Sequence, residues 1–177
     1  MSTLTTILSR TSYRGKYDPA PIPREHLQQL LEAGLAAPSG CNKQTTSLIA
    51  VDDPELLKQL NALTDSRIGK TAPAMILVLT RRIIAYRDRT FFVQDYAAAI
   101  ENILLAAVSL GYESCWVEGH ITDVDNIGRK MADVLGVPEE YELVCYLPIG
   151  KAIEKTQKPV KQSFAERAWF NGFHKPE

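Results

Sequence analysis

Ser47-Leu-Ile-Ala-Val51-Asp-Asp53-Pro54-Glu-Leu56-Leu57 is the stretch from which the fold can be read. Ser47 to Val51 has the short apolar run of a buried strand. Asp53 is placed to cap a helix and Pro54 to begin it, because proline's fixed φ suits a first turn whose N–H needs no partner. Leu56, Leu57 and Leu60 then mark the helix's inward face. This is the first strand in the chain, yet two helices are expected before it. One is short, Thr3 to Ser9. The other opens at Pro23, carries Leu27, Leu30, Leu31 and Leu35 on one face, and stops near Ala37, since Pro38 disfavours helix in the residue before it.

Further strands are expected at Met75–Leu79, Glu113–Val117 and Tyr141–Ile149. Residues 81–93 show no decisive period. The longest helix is expected from Gln94 to Leu110, with Ile100, Ile103, Leu104, Ala107 and Val108 inward and Gly111 at its end. Another runs from Thr122 to Leu135 and ends at Gly136. Lys151 to Gln162 is polar, proline-interrupted and without a helical face. Phe164, Trp169, Phe170 and Phe173 follow, an apolar patch that needs cover from the chain's own body or from a second subunit. Four strands and about five helices predict a mixed α/β-layered domain, and two helices ahead of the first strand exclude a simple βαβ series.

With 177 residues, 45% apolar and 23% charged, the chain has the length of one domain and material for a core. A separate dinucleotide-binding domain beside a second substrate domain does not fit. A net charge of −1 provides no global field for nucleic acid or anionic lipid. No apolar run nears the roughly 20 residues of a membrane span, and the first residues lack a secretion signal's pattern. A soluble cytoplasmic protein is expected, with neither nucleic acid nor membrane as partner. Charge is nonetheless uneven: residues 31–150 carry a net −6, and both ends are basic. Either the ends meet around an anion or they are solvated termini, and charge alone favours the second. Of three cysteines, Cys115 and Cys145 lie in apolar runs and Cys41 in a polar loop, with no CxxC pair.

Several familiar chemistries are excluded. Gly69-Lys70-Thr71 lacks the first glycine of a phosphate loop and runs into a strand instead of a helix, although Lys70 remains a candidate cation near a cofactor. No GxGxxG, HExxH or GxSxG exists, and His26, His120 and His174 are scattered, so no metal site is expected. His26 falls on a polar helix face. Asp123 and Asp125, or Glu139 and Glu140, read as helix-start and turn residues. Arg81, Arg82, Arg87 and Arg89 form a local cluster suited to phosphate on a nicotinamide dinucleotide or on nucleic acid, and equally to a solvated loop; the near-zero overall charge disfavours nucleic acid.

Two polar segments are more specific. Ser9-Arg10-Thr11-Ser12-Tyr13-Arg14-Gly15-Lys16-Tyr17 combines cations and hydroxyls as a phosphorylated ligand requires. Ala37-Pro38-Ser39-Gly40-Cys41-Asn42-Lys43-Gln44 offers amides that donate and accept at once, as a flavin's ribityl hydroxyls and imide edge require. Taken singly, each also reads as a cap or turn.

Together, in order, these segments resemble the nitroreductase family of FMN-dependent oxidoreductases. Asp95 to Leu110 with Asn102 resembles that family's central helix. Gly111-Tyr-Glu-Ser-Cys-Trp116 resembles its Gly-Leu-Gly-Ser-Cys-Trp stretch, and Trp116-Val-Glu118-Gly119 its flavin-facing segment. Lys158-Pro-Val-Lys161 through Glu166 resembles its closing basic element. Thr45-Thr46 stand where the family often has Pro-Trp, and Lys161 where arginine is common. The resemblance implies an α+β fold, a mixed β-sheet with flanking helices in α-β-α layers. Residues 1–177 would form one FMN-binding domain, with 151–177 a C-terminal extension reaching across a homodimer partner. It implies that Arg10 and Lys161 neutralise the phosphate and that Ser12 donates to phosphate or ribityl oxygens. Arg14 would sit by flavin N1 and the C2 carbonyl, and Lys70 by the pyrimidine edge. Pro38, Ser39 and Asn42 would approach from the other subunit, with the backbone of Glu118 and Gly119 at N5 and O4. NADH or NADPH would give hydride, and a nitroaromatic, quinone or similar small-molecule acceptor would take it by ping-pong turnover with no catalytic side chain. Reductive dehalogenation, flavin breakdown, and a flavin-binding redox sensor are the alternatives on this fold.

Overall fold

A computed structural model describes residues 2–118, 126–155 and 158–173. Its centre is the strand β2, Ala74–Thr80, buried along its whole length. β2 pairs antiparallel with β1, Thr46–Val51, on one side and with β6, Glu142–Gly150, on the other. β6 in turn pairs antiparallel with the short β5, Glu113–Ser114, giving the sheet order β1-β2-β6-β5. All pairings among the described strands of this sheet are antiparallel, a narrower arrangement than the mixed sheet expected. The α+β layering itself is as expected.

Alternation along β2 sorts its side chains between two cores. Ala74, Ile76 and Val78 face a layer built on α2 (Arg24–Leu35) and α4 (Phe92–Ser109), with Leu30, Ile100 and Ile103 fully buried there. Met75, Leu77 and Leu79 face α3 (Pro54–Ala62) and α5 (Ile127–Val134), where Leu60 and Met131 are fully buried. Asp53 caps α3 through its side chain, accepting from the Leu56 N–H at 2.9 Å. Gly111 ends α4 at φ 79°, while Tyr112 donates to the Ala107 carbonyl and Gly111 to that of Val108. This closing pattern needs a left-handed residue and glycine supplies it without a Cβ penalty. Cys115 and Cys145 are buried, and Cys41 is exposed.

Several boundaries depart from expectation. α2 ends at Leu35, two residues early. Residues 81–93 resolve into a hairpin, β3 (Ile84–Tyr86) with β4 (Arg89–Thr90), and the start of α4 at Phe92. The third strand shrinks to two residues plus an isolated bridge from Val117 to Tyr146. Of the expected 122–135 helix, residues 122–125 lie outside the described residues, Asn126 is left-handed at φ 53°, and the helix runs from Ile127 to Val134. A further turn of helix, α6 (Phe164–Arg167), follows the polar tail, closed by a reciprocal Ser163–Glu166 capping box. His26 is not free in solvent: its Nδ1 lies 2.8 Å from the Tyr112 hydroxyl.

The two basic ends of the chain run side by side. Tyr17 bridges to Ala152, Asp18 donates to the Lys151 carbonyl at 2.8 Å, and Ile153 donates to that of Lys16 at 3.2 Å. The two ends thus meet along this seam, while the basic side chains of Lys16 and Lys151 on it stay exposed. Among the described residues the tail's aromatic rings pair with each other, Phe164 with Phe170 and Trp169 with Phe173. Phe164, Phe170 and Phe173 stay 66%, 77% and 68% exposed, so the chain's own body does not cover them.

Candidate functional site

The segment after α1 (Thr3–Ser9) lies along the outer side of β5, where Tyr13 donates to the Ser114 carbonyl at 2.9 Å. Tyr13 and Tyr17 are buried here and hold the segment by their rings, which meet edge to face. Along the segment buried Thr11 and Tyr13 alternate with the more accessible Arg10, Ser12 and Arg14. Arg10 is half-buried and pairs with Glu101 of α4 at 3.2 Å. Ser12 is half-buried, and Arg14 is exposed with one long contact of 3.4 Å to the Ser12 carbonyl. Thr11 is turned inward and donates to Glu113 at 3.3 Å. Burial raises the Cys115 thiol's pKa, while first Arg14 and then Arg10 oppose that rise.

Glu118 follows directly. Its carboxylate accepts from the Tyr96 hydroxyl at 2.9 Å and from the Trp116 indole N–H at 2.7 Å. Burial, followed by that bond to Glu118, drives the Tyr96 phenol well above its ordinary range, so Tyr96 stays a donor. Neither Tyr96 nor Trp116 was singled out as a partner of Glu118 from sequence. Gly119 lies outside the described residues.

Pro38, Ser39 and Asn42 occupy the opposite side of the sheet, in the loop entering β1. Asp95, buried in the first turn of α4, grips this loop: it accepts from the Gly40 N–H and from the Thr45 hydroxyl, each at 2.7 Å. Ser39 accepts from the Gln44 N–H at 3.0 Å. A side chain at Gly40 would strike Phe91 at 2.6 Å, so the loop closes on α4 only with glycine there. Cys41, Asn42 and Gln44 all adopt left-handed φ values of 47–53° and are exposed. Asp95 organises the loop, and its first-turn position gave sequence no hint of a partner 55 residues away.

β1 and β5 are the outer strands, three interstrand spacings or roughly 14 Å apart. The structure therefore brings Arg10, Ser12, Arg14 and Glu118 to one edge and Pro38, Ser39 and Asn42 to the other. Lys161 is exposed on the tail, three residues beyond Lys158, whose ammonium reaches the Leu8 carbonyl at 3.5 Å. That contact carries the tail to the end of α1, next to Arg10. Lys70 stands at the rim of a cavity of about 530 Å³ with Pro19, Leu57 and Lys58. Its neighbour Thr71 accepts from the Tyr17 N–H at 2.9 Å, tying the Lys70 loop to the segment that carries Arg14. Among the described residues no cluster of three or more His, Cys, Asp or Glu could hold a metal ion, and no helix is long and apolar enough to cross a membrane.

The donor set at the β5 edge suits a phosphorylated, hydroxyl-bearing ligand. Among the described residues Arg14 makes no ion pair, and the nearby carboxylates are already engaged, Glu101 by Arg10 and Glu113 by Thr11. The buried Ser114 hydroxyl has no partner beside this segment. Arg14 and Ser114 thus hold donors unmet among the described residues, and an oxygen-rich ligand carries acceptors of that kind.

Comparison with known proteins identifies the fold and the family. A protein of Archaeoglobus fulgidus, named provisionally as an NADH dehydrogenase/NAD(P)H nitroreductase, is 32% identical over 148 residues, 83% of each chain. The crystal structure of a nitroreductase with bound FMN from Bacteroides fragilis superposes with a TM-score of 0.78 at 29% identity, covering 96% of this chain and 98% of that one. An FMN-dependent nitroreductase from Clostridium difficile gives 0.80 at 27% identity, covering 96% and 99%. The sequence pattern of the nitroreductase family matches residues 7–68 and 62–151. On that match, and on a fold shared over nearly its whole length, the chain belongs to the nitroreductase family.

Proposed function

We propose that the protein is a homodimeric, FMN-dependent NAD(P)H oxidoreductase, one FMN-binding unit per chain, that reduces nitroaromatics, quinones or similar electron-poor acceptors by ping-pong turnover. Its family membership and its FMN-bound and NAD(P)H-using relatives support the cofactor and the enzyme class. The observation that carries the rest is the division of the candidate site between opposite sheet edges, beside an aromatic tail left uncovered by its own chain. A second copy completes the site by setting its 38–42 loop against the first copy's Arg10–Arg14 segment, and it covers Phe164, Phe170 and Phe173.

Bound there, FMN supplies a two-electron carrier between nicotinamide and acceptor. The chain's residues bind, orient and bias it. Arg10 and Lys161 neutralise the phosphate, and Ser12 donates to phosphate or ribityl oxygens. Arg14 holds positive charge beside N1 and the C2 carbonyl, where negative charge grows on reduction. Lys70 stands at the pyrimidine edge. The backbone N–H of Glu118, whose carboxylate is fixed by Tyr96 and Trp116, would meet the N5 side, and Gly119, expected beside it, lies outside the described residues. Pro38, Ser39 and Asn42 of the second copy wall the same site, held in place by Asp95. No side chain here is asked to transfer a proton.

The visible spectrum of the purified protein, followed by FMN titration and anaerobic reduction with each nicotinamide, tests this reading. A yellow dimer that bleaches with NADH or NADPH and recovers with a quinone or nitroaromatic is expected. Protein that stays colourless and takes up no FMN on titration overturns it.

A further inference from the structure

The exposed hairpin of β3 and β4 takes no part in the site described above. Its two-residue turn is Arg87-Asp88, with φ of 46° and 60°. Two positive φ values make it the mirror-image turn usually built from Asn-Gly. A side chain in that region is strained, and arginine lacks the short local hydrogen bonds that help asparagine tolerate it. What the costly choice achieves is display. The Arg87 guanidinium lies over the Tyr86 ring at 5.0 Å, and Arg89 is the cross-strand partner of Tyr86. Tyr86 itself is 52% exposed. Among the described residues neither Arg87 nor Arg89 forms an ion pair, and Asp88 between them pairs with neither. Arg82, the adjacent cation, is by contrast committed to both oxygens of Glu142 at 2.5 and 2.9 Å.

Two guanidinium forks without an ion pair among the described residues, beside a half-exposed aromatic ring that one of them already overlies, match a phosphomonoester next to a purine. The forks take the phosphate oxygens, and the ring takes the base. The hairpin is also in the right place. Arg81, leading into it, donates to the Thr45 carbonyl at 3.1 Å, and β3 packs against the 40–42 turn. That turn is the one set against the partner's cofactor. A nicotinamide stacked there leaves the adenosine end of its dinucleotide over neighbouring surface.

We propose that Arg87 and Arg89, with Tyr86, bind the 2′-phosphoadenosine end of NADPH and make the protein prefer NADPH over NADH. This rests on the flavin reading above. The test uses the FMN-loaded dimer and two variants. R87N/D88G leaves the hairpin's net charge unchanged and gives the turn its favoured residues, so lost binding reports neither a broken hairpin nor a weaker general field. R89S removes the second fork. For each variant, kcat/KM with NADPH is expected to fall about 10- to 100-fold, with that for NADH held within about twofold. Titration with adenosine 2′,5′-bisphosphate and with AMP gives a reading independent of turnover: the bisphosphate binds the unaltered protein more tightly than AMP, and the variants lose that margin. Equal losses for NADPH and NADH, or an undiminished preference for the bisphosphate in both variants, overturn the proposal. If the protein binds no FMN, the flavin reading fails by itself, while the bisphosphate titration still decides the hairpin's role.

Discussion

The two outer strands of the sheet solve different problems. At the β5 edge the chain offers charge: Arg10 and Arg14 on a segment anchored by buried tyrosines, with Glu118 at its end. At the β1 edge it offers shape: a loop with no cation between Pro38 and Asn42, clamped from below by one buried carboxylate. The first edge contributes strength and depends on salt. The second contributes fit and depends on rigidity. In the proposed dimer neither edge is a binding site alone, which fits each segment's resemblance, read by itself, to an ordinary turn.

Removing the clamp is the largest perturbation. Asp95→Ala leaves the Gly40 N–H and the Thr45 hydroxyl unpaired and should destabilise the fold by about 3 kcal/mol, as hydrogen bonds to a charged group suggest. Urea unfolding measures this, and a cost under about 1 kcal/mol would mean that the loop holds itself. Next comes charge reversal at the other edge. Arg10→Glu should weaken FMN binding about 100-fold, while Arg82→Gln, at a guanidinium already paired with Glu142, should leave it within about twofold. Fluorescence titration of FMN separates them, and equal affinities in the two variants would remove Arg10 from the phosphate site.

The smallest effect concerns pH. Burial raises the Glu113 carboxyl above its ordinary 4.5, while Thr11 and Arg10 pull against that rise. The folded state then holds this proton more tightly than the unfolded chain does. The contribution is fullest below about 4.5 and is lost as pH rises through the folded value. Glu113→Gln keeps an acceptor for Thr11 and removes the loss. Its melting temperature relative to the unaltered protein should therefore climb between about pH 4 and pH 7, which thermal melts at the two values will show.

Much of the framework was legible because its signals are local. Asp53-Pro54 marks a helix start, Gly111 and Gly136 mark helix ends, and the apolar runs at 47–51, 75–79 and 141–149 mark strands. The hairpin at 84–90 was not legible, since Arg-Asp is a poor advertisement for a turn that favours Asn-Gly. The capping box at Ser163–Glu166 was written in the sequence, but a single helical turn has too few residues to show a period. At the site, Arg10, Ser12 and Arg14 stood out through composition. Their support did not: Asp95 with Gly40, Tyr96 with Glu118 and Arg10 with Glu101 are polar pairs spanning many residues, and no spacing rule links them.

The opposite placement of the two half-sites has a genetic consequence. In a symmetric pair, each pocket draws its charged wall from one polypeptide and its shaped wall from the other. A chain disabled at Arg10 and a chain disabled at Asp95 would each be inactive when assembled with itself. Co-expressed, they would form mixed pairs in which one pocket inherits both lesions and the other inherits none, so that about a quarter of all pockets regain function. Two individually dead alleles would thus rescue one another.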